Sequence, residues 1–249
     1  MTTVLEGINE KTKRANESIR NLDGEINVFF DKCLYPIIPH EDGEMRKEVI
    51  DYHLNRPIPL RFNVLCGEIV HHLRSCLDHI AWGLSSQAKR RSDPTGIGFP
   101  IFDKEPVGKN ELTRYDRKVE GLPGGIKAVV KRLQPYQRTD PLDDPLSIIH
   151  KMDKLDKHRE LVIVFPGIFV KPGPVTLRAF MDYFQAKTEA TLSNFKSAMK
   201  VDGQPLPQVS FREFGKREYY PVIPGLQELS DSVVIVVSEF ERFFKRKRS

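Results

Sequence analysis

One amphipathic segment, residues 60–88, constrains the fold of this chain more than any other part of the sequence. Its polar side holds three histidines within nine residues, together with an arginine and an aspartate. Because a charged histidine is costly to bury, this side predicts either a polar layer between packed helices or a functional site. Apolar residues recur every three or four positions on the other side, which predicts a helix with one buried stripe. The stripe consists of Leu65, Ile69, Leu73, Cys76, Leu77, Ile80 and Leu84.

The other segments predict an α+β protein, a single domain over residues 1–249 in which a helical bundle lies beside a small antiparallel β-sheet. A β-hairpin is expected at residues 34–55, around an Asp-Gly turn. Residues 93–125 are rich in proline and glycine and are expected to be irregular. Helical apolar spacing places the helices of the bundle at residues 3–31, 60–88, 126–159 and 225–244, and Pro135 divides the third region into helices at 126–133 and 145–159.

The amino-acid composition changes at residue 161, and residues 161–215 are expected to be mainly β-structure. Their β-branched and aromatic residues predict strands at residues 161–169, 175–183 and 209–214. The intervening residues 184–200 are interpreted as a helix or a partly helical insertion.

The amino-acid composition is that of a globular protein and excludes several other classes. Charged residues make up 29% and hydrophobic residues 39% of the chain, the balance of a globular protein. No stretch approaches the roughly 20 apolar residues of a transmembrane helix, and residues 2–20 lack a signal-peptide core. The three cysteines form no CxxC motif and cannot close a disulfide framework. These features predict a cytoplasmic protein without a membrane partner.

A second polar cluster lies near the end of the helix predicted at 145–159. Asp156 and Arg159 project from its apolar face. Buried charges need partners inside the fold, and the polar side of the 60–88 helix is the expected supplier. The two segments therefore predict either a composite site or a buried structural ion network.

Residues 71–82 read HHLRSCLDHIAW and resemble the HNLRSALDHLAW segment of a widespread, largely uncharacterised family of bacterial proteins. The resemblance continues through FPIF at 99–102, LQPY at 133–136 and DKHR at 156–159. It spans roughly residues 45–165. The family brings no established activity with it.

Within that segment, Arg74 and His79 fit an arginine–four-residue–histidine pattern. In this they resemble the higher eukaryotes and prokaryotes nucleotide-binding (HEPN) superfamily. The resemblance implies a helical bundle and, as in many members, a metal-independent ribonuclease of a toxin or phage-defence system. It also implies a composite site across a homodimer. On an ideal helix the two side chains point about 140° apart, so a dimer mate or a distorted helix is expected to complete the site.

The ribonuclease interpretation gives Arg74 and His79 the central roles. His79 would be the general base or acid at the RNA 2′-hydroxyl or 5′-oxygen. Arg74 would bind the scissile phosphate and stabilise the charge that develops on it. Attack by a 2′-hydroxyl needs no metal and no cofactor, and the expected partner is RNA or a nucleotide.

The other polar residues of the two clusters have supporting roles in this interpretation. His72 or His158 would supply the second proton-transfer group. Asp78 or Asp156 would orient a histidine, as carboxylates commonly do. Contacts to substrate or phosphate are expected from Arg159, Lys157, Asp156 and His71.

Two other classes of protein stay open. Glu68 and His71 form half of a helical di-metal motif, and His72 and His79 could share an ion with one residue of the second cluster. Alternatively, the chain is a binding module that holds a nucleotide, a nucleic acid or a partner protein without turnover. An anion would then lie between arginines of the two clusters.

Overall fold

The computed structural model describes residues 4–41, 48–158, 161–165, 169–170, 209–214 and 217–246. Over these residues the chain is α+β, mostly helical with short β-strands. It divides into two compact units. One contains Met1–Asp23, Pro59–Ile163 and Phe211–Ser249, and the other contains Gly24–Ile58 and Val164–Ser210. That the whole chain behaves as one folding domain stays a prediction.

The first unit is built mainly from helices. Helix α2 (Leu60–Leu84) buries every residue of its apolar stripe except Leu65, which is half-buried. It packs against α6 (Pro145–His158) and α7 (Val222–Arg246), which also pack against each other. This confirms the predicted core face of the segment. The described helices are α1 (Val4–Cys33, shared between the units), α2 (Leu60–Leu84), α3 (Gln87–Ser92), α4 (Lys109–Val119), α5 (Gly124–Arg132), α6 (Pro145–His158) and α7 (Val222–Arg246). None of them has the combination of length and apolar composition that crossing a bilayer requires.

The predicted helix over residues 60–88 is wrong at its end, because α2 stops at Leu84. The Ser85 hydroxyl donates a hydrogen bond to the Ala81 carbonyl and so competes for the helical acceptor. The Ser86 side chain accepts from the Lys89 N–H and caps α3. Two consecutive serines in extended conformation therefore end one helix and start another.

The prediction of an irregular segment at residues 93–125 is wrong in part, because α4 lies within it. This helix buries only its last residue, Val119, so it carries no apolar stripe that periodicity could reveal. The two helices predicted at 126–133 and 145–159 are confirmed as α5 and α6, and a 3₁₀ turn at Pro135–Gln137 lies in the break between them. Proline cannot donate to a helix interior, so it forces that break.

The second unit contains the predicted hairpin, which is confirmed. Strands β1 (Leu34–Glu41) and β2 (Glu48–Leu54) pair antiparallel, with Leu34 opposite Leu54, and β4 (Phe169–Val170) adds to β2.

A second three-stranded sheet has the order β3 (Ile163–Val164), β5 (Ser210–Phe214), β6 (Arg217–Pro221). Strand β5 confirms the prediction at 209–214. The single strand predicted at 161–169 is wrong, because its two ends, β3 and β4, pair in different sheets. The predictions for 175–183 and 184–200 lie outside the described residues.

Gly83 lies where α2 meets α7, so a substitution there tests how closely the two helices pack. A Cβ at this position would stand 2.7 Å from Val4 Cγ1 and 2.8 Å from Phe244 Cε1, closer than van der Waals contact. We expect Gly83→Ala to lower the free energy of unfolding by about 1–3 kcal/mol through overpacking. Urea denaturation followed by circular dichroism measures it.

The matched control is Gly7→Ala in α1, where a Cβ would meet nothing within 4 Å. Alanine is the better helix former, so this variant should gain about 0.5–1 kcal/mol. A Gly83→Ala variant as stable as wild type would contradict the close approach of α7.

Candidate functional site

Arg74 on α2 is almost fully buried, with 7% of its surface exposed. Its Nη2 donates to Asp78 Oδ1 at 2.8 Å and to the Phe99 carbonyl at 2.8 Å. The Phe99 N–H donates to the same Asp78 oxygen at 2.9 Å. These three bonds hold the guanidinium and tie the segment before α4 to α2. Nη1 is also buried, and no residue that the structure describes accepts a hydrogen bond from it.

The side chain of Lys118 on α4 extends towards Asp78 and Arg74. Lys118 Nζ and Asp78 Oδ1 each lie 3.2 Å from the point where a Cβ on Gly98 would stand. Burial lowers the pKa of Lys118, and the charge of Arg74 lowers it further, against a smaller opposing effect of Asp78. The missing side chain of Gly98 therefore leaves the room in which a second cation approaches Arg74 and Asp78.

His150 on α6 is the third basic group. Burial lowers its pKa first, and the charge of Arg74 lowers it next, while Asp103 acts in the opposite direction. Arg74, Lys118 and His150 are called the Arg74 cluster below. Lys118 thus shares a partly desolvated position with Arg74 and Asp78, whereas His150 is exposed and is linked to Arg74 through the effect of its charge.

Neither Lys118 nor His150 was predicted from the sequence. Lys118 lies in a helix that periodicity does not reveal. One feature of the sequence pointed to His150: it lies one turn before Lys154 on a predicted helix that already carried candidate residues. The sequence does not indicate which neighbouring helix His150 faces, because that depends on tertiary packing.

Helix α6 directs two acidic residues towards α2, and the buried one is Asp153 rather than Asp156. Asp153 is 5% exposed, and its Oδ1 lies 3.3 Å from His71 Nδ1. Lys157 Nζ lies 2.7 Å from its Oδ2. His71 and Lys157, two of the predicted phosphate contacts, are therefore joined through a buried carboxylate.

Asp156 was predicted to be a buried charge, and this is wrong because it is exposed. Its Oδ2 lies 2.7 Å from the point where a Cβ on Gly67 would stand, so the carboxylate rests on the surface of α2 where that helix lacks a side chain. Partial burial raises the pKa of Asp156, and the charge of Asp153 raises it further. His158 is exposed at the last position of α6, and Arg159 lies outside the described residues.

His72 and His79 belong to the other side of α2, which faces α1. Burial lowers the pKa of both histidines, and the charge of Lys11 on α1 is the next cause for each. Nδ1 of His72 is buried and has no hydrogen-bond partner among the described residues. The structure brings Arg74 together with Asp78, whereas Arg74 and His79 have different surroundings within one chain.

The described residues contain no group of three or more His, Cys, Asp or Glu side chains that could hold a metal ion. The di-metal motif begun by Glu68 and His71 needs a second Glu-x-x-His pair, and the described residues do not contain one. Comparisons of the chain with protein-family models, with curated proteins and with solved structures found no match. Function is therefore argued from the chemistry of the site.

Asp78 yields a prediction about stability. Asp78→Ala would leave Arg74 buried with one acceptor fewer and the Phe99 N–H without its partner. We expect the free energy of unfolding to fall by about 2–4 kcal/mol, measured by urea denaturation. The control is Glu241→Ala, which removes an exposed i,i+4 pair with Lys245 and should change stability by less than about 0.5 kcal/mol. Equal effects of both variants would refute the structural role of Asp78.

His72 and His79 yield a prediction about pH. Their folded-state pKa values lie below the ordinary 6.5, so the unfolded chain binds more protons once the pH falls below that value. Stability is then fully present above about pH 6.5 and decreases as the pH falls towards the folded-state pKa values. We expect the urea midpoint to drop between about pH 7.5 and pH 5.5.

Lys11→Met should make this drop smaller, because it removes a positive charge that lowers both pKa values. The matched control is Lys13→Met on the exposed face of α1. The same pH dependence in wild type and Lys11→Met would rule out the contribution of the Lys11 charge to these two pKa values.

Proposed function

We propose that this protein is a HEPN-like, phosphate-binding protein whose ligand is a nucleotide or RNA and whose central anion-binding group is Arg74. The observation that supports this most strongly is the guanidinium itself: Nη2 is fixed by Asp78 and Phe99, and Nη1 is buried with no described acceptor. A guanidinium presents N–H donors in a planar fork that matches phosphate oxygens. A buried donor without a partner costs about 1–3 kcal/mol, and a phosphate oxygen would relieve that cost.

The charges around Arg74 support an anion rather than a cation. Lys118 and His150 both have lowered pKa values, and the charge of Arg74 is a cause in each case. A positive potential in a partly desolvated place attracts an anion more strongly than the same charges would in water. Of the carboxylates near this position, Asp78 is already engaged by Arg74 and by Phe99.

Metal-independent RNA cleavage is the second candidate function, and His150 is the observation that favours it. A pKa below the ordinary 6.5 keeps most of its imidazole neutral near pH 7, as a general base requires. Arg74 and Lys118 would stabilise the charge that develops on the phosphate. In the dimeric form of this proposal, His79 of a second copy supplies the proton transfer. A role in phage defence and a cytoplasmic location belong to the same proposal.

Binding of a labelled single-stranded RNA at low salt, followed by fluorescence anisotropy, tests the first function. Arg74→Lys keeps the charge but removes the fork, so we expect Kd to rise about tenfold or more. The matched control is Arg14→Lys, an exposed arginine on α1 that pairs only loosely with Glu17 at 3.7 Å and should leave Kd unchanged. Circular dichroism checks that both variants fold. Equal affinities in wild type and Arg74→Lys would refute the proposal.

The same RNA, incubated with and without EDTA, tests cleavage. Cleavage that resists EDTA, is lost in His150→Gln and persists in His79→Gln would assign the chemistry to the Arg74 cluster. The reverse pattern would assign it to a dimeric site with His79. Intact RNA under all conditions would leave binding as the function.

A further inference from the structure

Three aromatic side chains, Phe102, Tyr115 and Tyr136, lie beside the Arg74 cluster and are called the aromatic cluster. The ring centroids of Phe102 and Tyr115 are 5.7 Å apart with an interplanar angle of 64°. The Tyr136 N–H donates to the Phe102 carbonyl at 3.3 Å. Burial and the neighbouring Tyr136 raise the pKa of Tyr115 to about 12. The cluster therefore combines rings from three parts of the chain. Phe102 precedes α4, Tyr115 lies within α4, and Tyr136 follows α5.

Two connections place the aromatic cluster next to the cations. Tyr115 precedes Lys118 by three residues on α4, so the two side chains share one side of that helix, about 5–6 Å apart at Cβ. Asp103 follows Phe102 directly and accepts a hydrogen bond from the Ser147 hydroxyl. On α6 the next residue on that side, one turn later, is His150. Tyr115 and Lys118 therefore project from the same side of α4, and the segment that carries Phe102 is tied to α6 one turn before His150.

The rings of this cluster differ from those of the core. Phe99 and Phe240 are buried to 1% and 0% exposure and pack edge to face. Phe102, Tyr115 and Tyr136 are only half-buried, although all three are large aromatic residues. Half-exposed rings beside a positively charged position are the combination with which proteins bind single-stranded nucleic acid, because every base can stack on a ring while the phosphate meets the cations.

We infer that the Arg74 cluster and the aromatic cluster together bind one unpaired nucleotide, with its phosphate at Arg74 and Lys118 and its base against the rings. This inference rests on the proposed phosphate-binding function and narrows the ligand from any nucleotide or RNA to an unpaired nucleotide whose base contacts the rings. The ligand is a free nucleoside monophosphate or an unpaired nucleotide of a single strand, since a paired base in a duplex has both faces stacked.

In this binding mode the phosphate reaches Arg74 past Lys118. Arg74 Nη1 is buried, so a phosphate oxygen reaches it only when a neighbouring group moves. The Lys118 ammonium ends a flexible four-carbon stem, which lets it turn aside and then bind the same phosphate from the outside. Gly98 keeps that movement unobstructed, because a Cβ there would stand 3.2 Å from Lys118 Nζ.

Isothermal titration of the full chain with a series of small ligands tests the inference without any variant. The ligands are AMP, GMP, CMP, UMP, ribose 5-phosphate and inorganic phosphate. We expect at least one monophosphate to bind about tenfold more tightly than ribose 5-phosphate, through stacking of its base. Equal affinity for all of them would overturn the base site and leave phosphate binding intact. Failure of every ligand and of RNA would overturn both proposals.

Variants of the aromatic cluster then locate the base. Tyr115→Leu should lower the affinity for the preferred monophosphate to that of ribose 5-phosphate, and Tyr115→Phe, which keeps the ring, should not. Phe102→Leu is the second variant if Tyr115→Leu fails to fold. Lys118→Gln should weaken monophosphate and ribose 5-phosphate alike. An unchanged preference for the base in both leucine variants would overturn the assignment.

A last comparison separates free nucleotides from single strands. A single-stranded RNA should bind more tightly than the same sequence in a duplex at equal salt concentration. Tighter binding of the single strand than of the monophosphate identifies a strand as the ligand, and the reverse identifies a free nucleotide. A duplex that binds as well as the single strand would overturn the inference.

Discussion

The hydrogen bonds that join Arg74, Asp78 and Phe99 are the constraint on which the rest of the helical unit depends. A buried guanidinium is stable only when charged and polar acceptors surround it. Asp78, one turn further along α2, supplies the first, and the Phe99 carbonyl supplies the second. Because the Phe99 N–H binds the same carboxylate, the burial of one arginine also sets the position of the segment that follows the short 3₁₀ turn at Pro94–Gly96.

The segment around Phe99 connects Arg74 to two further helices, α7 and α5. The Phe99 ring packs edge to face on Phe240 of α7 at 6.0 Å. One residue later, the Pro100 carbonyl accepts a hydrogen bond from the buried Gln134 side chain, which also donates to the Val130 carbonyl of α5. Glycines on α2 allow the other close approaches: Gly67 accommodates Asp156 of α6, and Gly83 accommodates Phe244 of α7. Thus α2 is the helix against which the others are positioned.

The two sides of α2 have different chemistry, and this bears on function. The side with Arg74 meets α4 and α6 and gathers two more basic groups. The side with His72 and His79 meets Lys11 of α1, whose charge opposes protonation of both histidines. Nη2 of Arg74 is engaged within the fold, while Nη1 is buried without a described acceptor. Under the proposed function, one residue would serve structure through the first nitrogen and binding through the second.

The sequence by itself determined the features that depend on neighbours three or four residues apart. These are the buried stripe of α2, the i,i+4 spacing of Arg74 and Asp78, and the terminal helix. Local spacing suffices there because the partners lie on one element. Only the tertiary structure decided that Asp153 is buried against α2 while Asp156 stays exposed, and that Lys118 approaches Asp78 and Arg74. The physical reason is that these partners come from helices distant in sequence, so the packing of α6 against α2 and the path of the chain through Gly98 select which side chains meet.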